Sequence, residues 1–188
     1  MLKLYYTTTK GEGETQPKSY NSLGGYRSAT LVKNDEFDNF FGELSAYTVA
    51  NNTENQYIGL ILRNEGGNKT NITLHFSRPQ TCYSKLYAAA VDLSVDSESK
   101  EFMESVPTVN SAPLYATFYE AEGLDNAVSL GDIPANGAIG LWLKREILRD
   151  IIIQDRSVVT AVDPTDENRV IPKVFEKSDT IDIVLSYD

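Results

Sequence analysis

The chain has 188 residues, of which 41% are hydrophobic and 23% charged, and a formal net charge of −10. That length fits one domain with a substantial core, and the composition is globular rather than disordered. The acidic balance argues against phosphate-backbone binding by the domain as a whole, and the single cysteine, Cys82, has no partner for an internal disulfide.

No apolar run reaches the roughly 18 residues of a membrane span. Met1–Tyr6 lacks the apolar segment and cleavage site of a signal peptide, so export by the usual route is not expected. The three Asn-x-Thr sequons are then chance matches. Residues 1–21, polar from Thr7 onward and without apolar periodicity, read as an extended N-terminal arm. Residues 22–188 read as a single domain, with an elaboration at 148–178.

Ser22-Leu23-Gly24-Gly25 reads as a turn into a strand at Arg27–Val32. Phe37, Phe40 and Phe41 have the spacing of one helical turn, and Glu43–Val49 reads as a returning strand. The clearest local signal is a hairpin. Ile58, Leu60 and Leu62 alternate before Glu65-Gly66-Gly67-Asn68, and Ile72, Leu74 and Phe76 alternate after it, with His75 facing outward. Leu86, Ala88 and Ala90 give a strand whose small residues admit a close neighbour. Asp96–Ser105 reads as a short helix ended by Pro107, and Leu114, Ala116 and Phe118 alternate as a further strand.

The chain is organised around Ser129–Ile147. Ile133 must be extended because it precedes Pro134, and Asn136-Gly137 supplies the positive φ that reverses the chain. Beyond this corner Ile139, Leu141 and Leu143 share one strand face, and Gly140, Trp142 and Lys144 the other. A short apolar run bounded by turn residues predicts a strand covered on both faces, with Trp142 in the core. Asp132, Pro134, Gly137, Leu141, Trp142 and Leu143 are thus the corner and core strand. Leu148–Ile153 fits helix and strand equally. Val158–Val162 and Val170–Val174 flank a loop, and Ile181, Ile183 and Leu185 form a last strand able to pair with the tryptophan strand. Seven to nine short strands with one or two short helices predict an all-β, antiparallel β-sandwich of immunoglobulin-like or jelly-roll-like type.

The sequence contains no phosphate-cradling loop and no nucleophile elbow. Its one histidine has no ligand partner at metal-binding spacing, and nothing selects a catalytic pair among the 27 acidic residues. No enzymatic activity, cofactor or metal is expected. Tyr115 and Tyr119 are candidate assembly contacts, since tyrosine combines contact area with a polar tip. Lys144 and Arg145 either mark the exit of the strand into solvent or, as further candidate assembly contacts, meet an acidic surface of a neighbouring copy.

Leu130-Gly131-Asp132-Ile133-Pro134-Ala135-Asn136-Gly137, Leu141-Trp142-Leu143-Lys144-Arg145, Ser22–Gly25 and the Tyr57–Phe76 stretch resemble small β-sandwich proteins encoded among the structural genes of tailed bacteriophages. The resemblance covers roughly residues 22–147 and returns at Thr180–Leu185. It implies a non-enzymatic virion component of the neck, tail, baseplate or capsid surface. Such a protein assembles in the bacterial cytoplasm with copies of itself and other virion proteins, without nucleic acid or membrane. A carbohydrate- or receptor-binding module of the same fold is the alternative, and it requires Trp142 at the surface.

Overall fold

The computed structural model describes residues 1–33, 40–41, 55–78, 84–148, 159–163, 165–172 and 181–188. The aromatic turn before Phe40, the Glu43–Val49 strand, Cys82, Tyr83 and Leu148–Ile153 beyond its first residue lie outside them. The fold is an antiparallel β-sandwich, as the pattern of short strands predicts.

The larger layer is built on β3 (Asn55–Asn64) and β10 (Ala138–Ile147), which pair along nearly their whole lengths. β1 (Leu2–Thr8) and β2 (Gly25–Leu31) extend the sheet on one side, ending in β7 (Glu101–Met103) and β6 (Ser94–Val95). On the other side lie β5 (Ser84–Val91) and the two-residue β8 (Tyr119–Glu120), giving eight strands. The smaller layer has three strands, with β4 (Lys69–Ser77) between β13 (Asp182–Ser186) and β9 (Val128–Ile133). β11 (Val159–Asp163) and β12 (Asp166–Pro172) form a separate hairpin.

Two apolar clusters cover the two faces of the large sheet. Between the layers, Ile58, Leu60, Leu62, Leu86, Leu141 and Leu143 meet Ile72, Leu74, Phe76, Leu130 and Ile133. On the outer face Trp142 packs with Tyr57, Ile61, Ala89, Met103 and Val106. Leu141 and Leu143 are fully buried and Trp142 is 1% exposed, as expected of a strand covered on both faces. Trp142 has Gly59 beside it on β3 and Ala89 on β5, so its large ring lies over two positions that carry almost no side chain.

Several local expectations are corrected. β3 and β4 do not form a hairpin, because they belong to different sheets and face each other across the core. Alternation assigns a face and not a partner. β3 is buried on both faces and paired on both edges, by β1 and β10, so no edge is left for β4. Nor does the last strand pair with the tryptophan strand, whose neighbours are β3 and β5; β13 pairs with β4.

The supposed N-terminal arm is part of the domain. Tyr5, Tyr6, Thr7 and Thr8 are buried on β1. Residues 13–16 lie along β2, with the Gly13 N–H donating to the Arg27 carbonyl at 2.9 Å and the Ala29 N–H to the Glu14 carbonyl at 2.9 Å. The missed signal is the alternation of Leu2, Leu4 and Tyr6, all of which reach the inter-sheet core.

Asp96–Ser105 is not helical either. The Asp96 carboxylate accepts the N–H groups of Glu98 and Lys100, each at 2.9 Å, and Ser99 sits at φ 62°, which makes a turn between β6 and β7. The short helices are instead 3₁₀ turns at Ser19–Asn21 and Leu124–Asn126. Of the strand expected at Leu114–Tyr119 only the end is regular; Leu114 is exposed while Ala116 and Phe118 pack on the outer cluster.

Candidate functional site

The corner predicted at Pro134–Gly137 carries the chain from β9 in the small sheet to β10 in the large one. The Gly137 N–H closes the turn on the Pro134 carbonyl at 2.9 Å, and Asn136 holds the left-handed position at φ 62°. A Cβ on Gly137 would lie 2.9 Å from the Pro134 ring, which accounts for glycine there. Asp132 contributes a side-chain cap, accepting the Asn71 N–H at 2.9 Å.

A second crossing, Glu65–Asn68 between β3 and β4, lies against the corner, and Asn64 ties the two. Its Nδ2 donates to the carbonyls of Gly67 (2.8 Å), Ile133 (3.0 Å) and Pro134 (3.2 Å), while its Oδ1 accepts the Gly66 N–H at 3.1 Å. Asn68 adds a contact by accepting the Ala135 N–H at 2.9 Å. The sequence offered no signal for the clasp Asn64 makes, because the partners it reaches on the other crossing, Ile133 and Pro134, lie 69 and 70 positions away. Replacing it with aspartate preserves shape but removes the donors and sets a carboxylate against carbonyl oxygens. Denaturant unfolding of Asn64→Asp is expected to show a loss of about 2–3 kcal/mol; an unchanged midpoint would show that the two crossings hold without this clasp.

Lys144 and Arg145 point to opposite faces of the large sheet and are both engaged within the chain. Lys144 places its Nζ 4.4 Å from the Tyr87 ring centroid and 3.5 Å from Glu146. Arg145 donates through Nε to Gln56 Oε1 at 2.8 Å and lies over the Phe41 ring at 5.2 Å. Glu146, two residues along the same strand, is thus an acidic partner for Lys144 within the chain.

Tyr87 is pushed up to about 12 by burial and by its hydrogen bond to Glu146, and that same bond holds the Glu146 carboxyl below the ordinary glutamate range. For Tyr87 the stabilisation is present below the ordinary tyrosine value of 10.0 and is lost as pH rises toward 12. For Glu146 it is present above the ordinary value of 4.5 and is lost as pH falls through the lowered one. Ultraviolet titration of the phenols should therefore lose its step near pH 12 in Tyr87→Phe. A step that survives the substitution would assign it to another tyrosine.

His75, expected on the surface, is half-buried on the outer face of β4, and its Nδ1 is enclosed without a hydrogen-bond partner among the described residues. Among the described residues no three His, Cys, Asp or Glu side chains converge as a metal site, and no helix is long and apolar enough to cross a membrane.

Tyr115 and Tyr119 are 83% and 60% exposed. They stand on a segment that the outer cluster anchors, well separated in sequence from Lys144 and Arg145, so the four nominated contact residues divide between an exposed tyrosine pair and an internally bonded basic pair. Leu114, 80% exposed, belongs with the tyrosines, although its alternation groups it with Ala116 and Phe118, which pack on the outer cluster. Trp142, which the glycan-module alternative needs at the surface, is buried. Comparison with protein-family models, with curated proteins and with solved structures finds no match for this chain.

Proposed function

We propose that this protein is a non-enzymatic structural component of a tailed-phage virion, an assembly protein of the neck, tail, baseplate or capsid surface. The reading rests on the resemblance carried by Leu130–Gly137 and Leu141–Arg145. The observation that supports a contact role is the exposure of Leu114, Tyr115 and Tyr119 on a segment fixed to the sandwich. In this reading the corner and tryptophan strand build the frame, and the exposed aromatic segment meets neighbouring copies or other virion proteins. Large apolar side chains presented on a rigid frame suit such contacts, because little ordering entropy remains to be lost on assembly. Mass spectrometry of purified particles produced by the encoding phage tests the proposal. It should find the protein in a fixed, multiple copy number, and particles lacking it would end the reading.

A further inference from the structure

The outer face of the large sheet is closed by the segment 104–118. Its path is fixed at several points. The Tyr57 N–H donates to the Val109 carbonyl at 2.7 Å, Asn110 Nδ2 to the Asn55 carbonyl at 3.1 Å, and the Phe118 ring lies 5.6 Å from that of Tyr57. Pro113 is buried and Ala116 packs on the outer cluster. Between these two anchors Leu114 and Tyr115 project into solvent, 80% and 83% exposed.

Their backbone is held by one side chain. The Glu104 carboxylate accepts the Leu114 N–H at 3.0 Å on both oxygens and the Tyr115 N–H at 3.3 Å. Two adjacent large apolar residues are thus displayed in a fixed conformation. Folding alone does not require this, since a leucine and a tyrosine in this setting bury almost nothing.

The surroundings specify the charge of what they meet. From Glu101 to Leu143 the chain contains no lysine or arginine. Glu104 stands at the projection itself, while Glu122 is taken up by Arg78 at 2.6 Å and Glu101 and Glu120 are offset by Arg63 and Lys85 at 3.7 and 3.6 Å. The chain as a whole carries a net charge of −10, and an apolar projection held by a carboxylate on so acidic a protein fits a basic recess. It disfavours the same surface of a second copy, where like charges would oppose one another.

We infer that Leu114 and Tyr115, positioned by Glu104 and flanked by Tyr119, form a preorganised docking element for a protein surface that presents an apolar recess rimmed by lysine or arginine. The inference rests on the assembly reading for the kind of partner. Leucine and tyrosine supply the buried anchor and the net acidic charge supplies steering and selectivity.

The test uses the full chain, labelled for NMR, and two short synthetic peptides. One carries leucine and phenylalanine with interspersed arginine, and the other has the same apolar residues with glutamate. The arginine peptide should shift the amides of residues 104, 114, 115 and 119, with affinity at least tenfold above the glutamate peptide. The double variant L114S/Y115S, whose positions are solvent-exposed and whose fold is checked by circular dichroism, should lose that binding by at least tenfold. Equal binding of both peptides, shifts centred elsewhere, or undiminished binding by the double variant would each overturn the inference. Sedimentation showing an oligomer that L114S/Y115S dissociates would place a second copy at this surface and overturn it as well. Particles that incorporate L114S/Y115S normally, together with a chain blind to the peptide, sink the docking element and leave the virion reading standing. A chain absent from particles that nevertheless binds the arginine peptide does the reverse.

Discussion

Replacing Trp142 with alanine should destabilise the domain by about 3–5 kcal/mol, the range for emptying a large aromatic site in a packed core. The indole is 1% exposed and lies between Gly59 and Ala89 on the adjoining strands. Neither neighbour has a side chain able to swing into the vacated space. Relaxation must come from Met103, Val106 and the overlying segment, which would loosen the hold on residues 104–118. Trp142→Phe keeps an aromatic ring and should lose less than half as much. Because this is the chain's only tryptophan, unfolding of the variants is followed by circular dichroism. A loss below about 1 kcal/mol for Trp142→Ala would mean that the outer cluster is an accessory layer and not a second core.

The features legible in the sequence are those set by neighbours along the chain. Pro134, Asn136 and Gly137 define a turn through φ restrictions alone, and they form it. Leu141, Trp142 and Leu143 mark a stretch of strand buried on both sides, because no polar residue interrupts either alternating set from Ala138 to Leu143. The choice of partner was not legible. Ile58, Leu60 and Leu62 face Ile72, Leu74 and Phe76 across the core, and alternation reads the same for two strands side by side as for two strands in facing layers. Asn64 and Glu104 were invisible for a related reason. Each acts by meeting backbone groups that the fold delivers to it, and as isolated letters they are ordinary surface polar residues. Leu114 misled in the opposite direction, since an apolar residue in an alternating run is normally core. Its exposure follows from Pro113 and the Glu104 bonds, which break the alternation at that point.

The substitution expected to do most damage adds a single carbon. Gly24 sits at φ 83°, and a Cβ there would fall 1.9 Å from the Glu104 carbonyl oxygen and 2.9 Å from the Ser105 Cα. These are backbone atoms, so relief requires the start of β2 to part from the segment after β7. That movement breaks the buried cluster in which the Gly24 N–H donates to Thr7 Oγ1 at 2.9 Å and Ser22 Oγ to the Gly59 carbonyl at 2.5 Å. Hydroxyls left unpaired there add the cost of buried, unsatisfied polar groups. Gly13 separates strain from collision. Its φ of 79° is nearly the same, but a Cβ on it meets nothing within 4 Å. Gly13→Ala should therefore lose only the conformational part, about 1–2 kcal/mol, while Gly24→Ala should lose more than about 4 kcal/mol or fail to fold. Thermal and urea unfolding of the two variants side by side give the comparison. Equal losses would show that the chain yields at Gly24 as easily as at an open loop, and that the Ser22–Gly25 turn does not lock β2 onto the segment that carries Glu104.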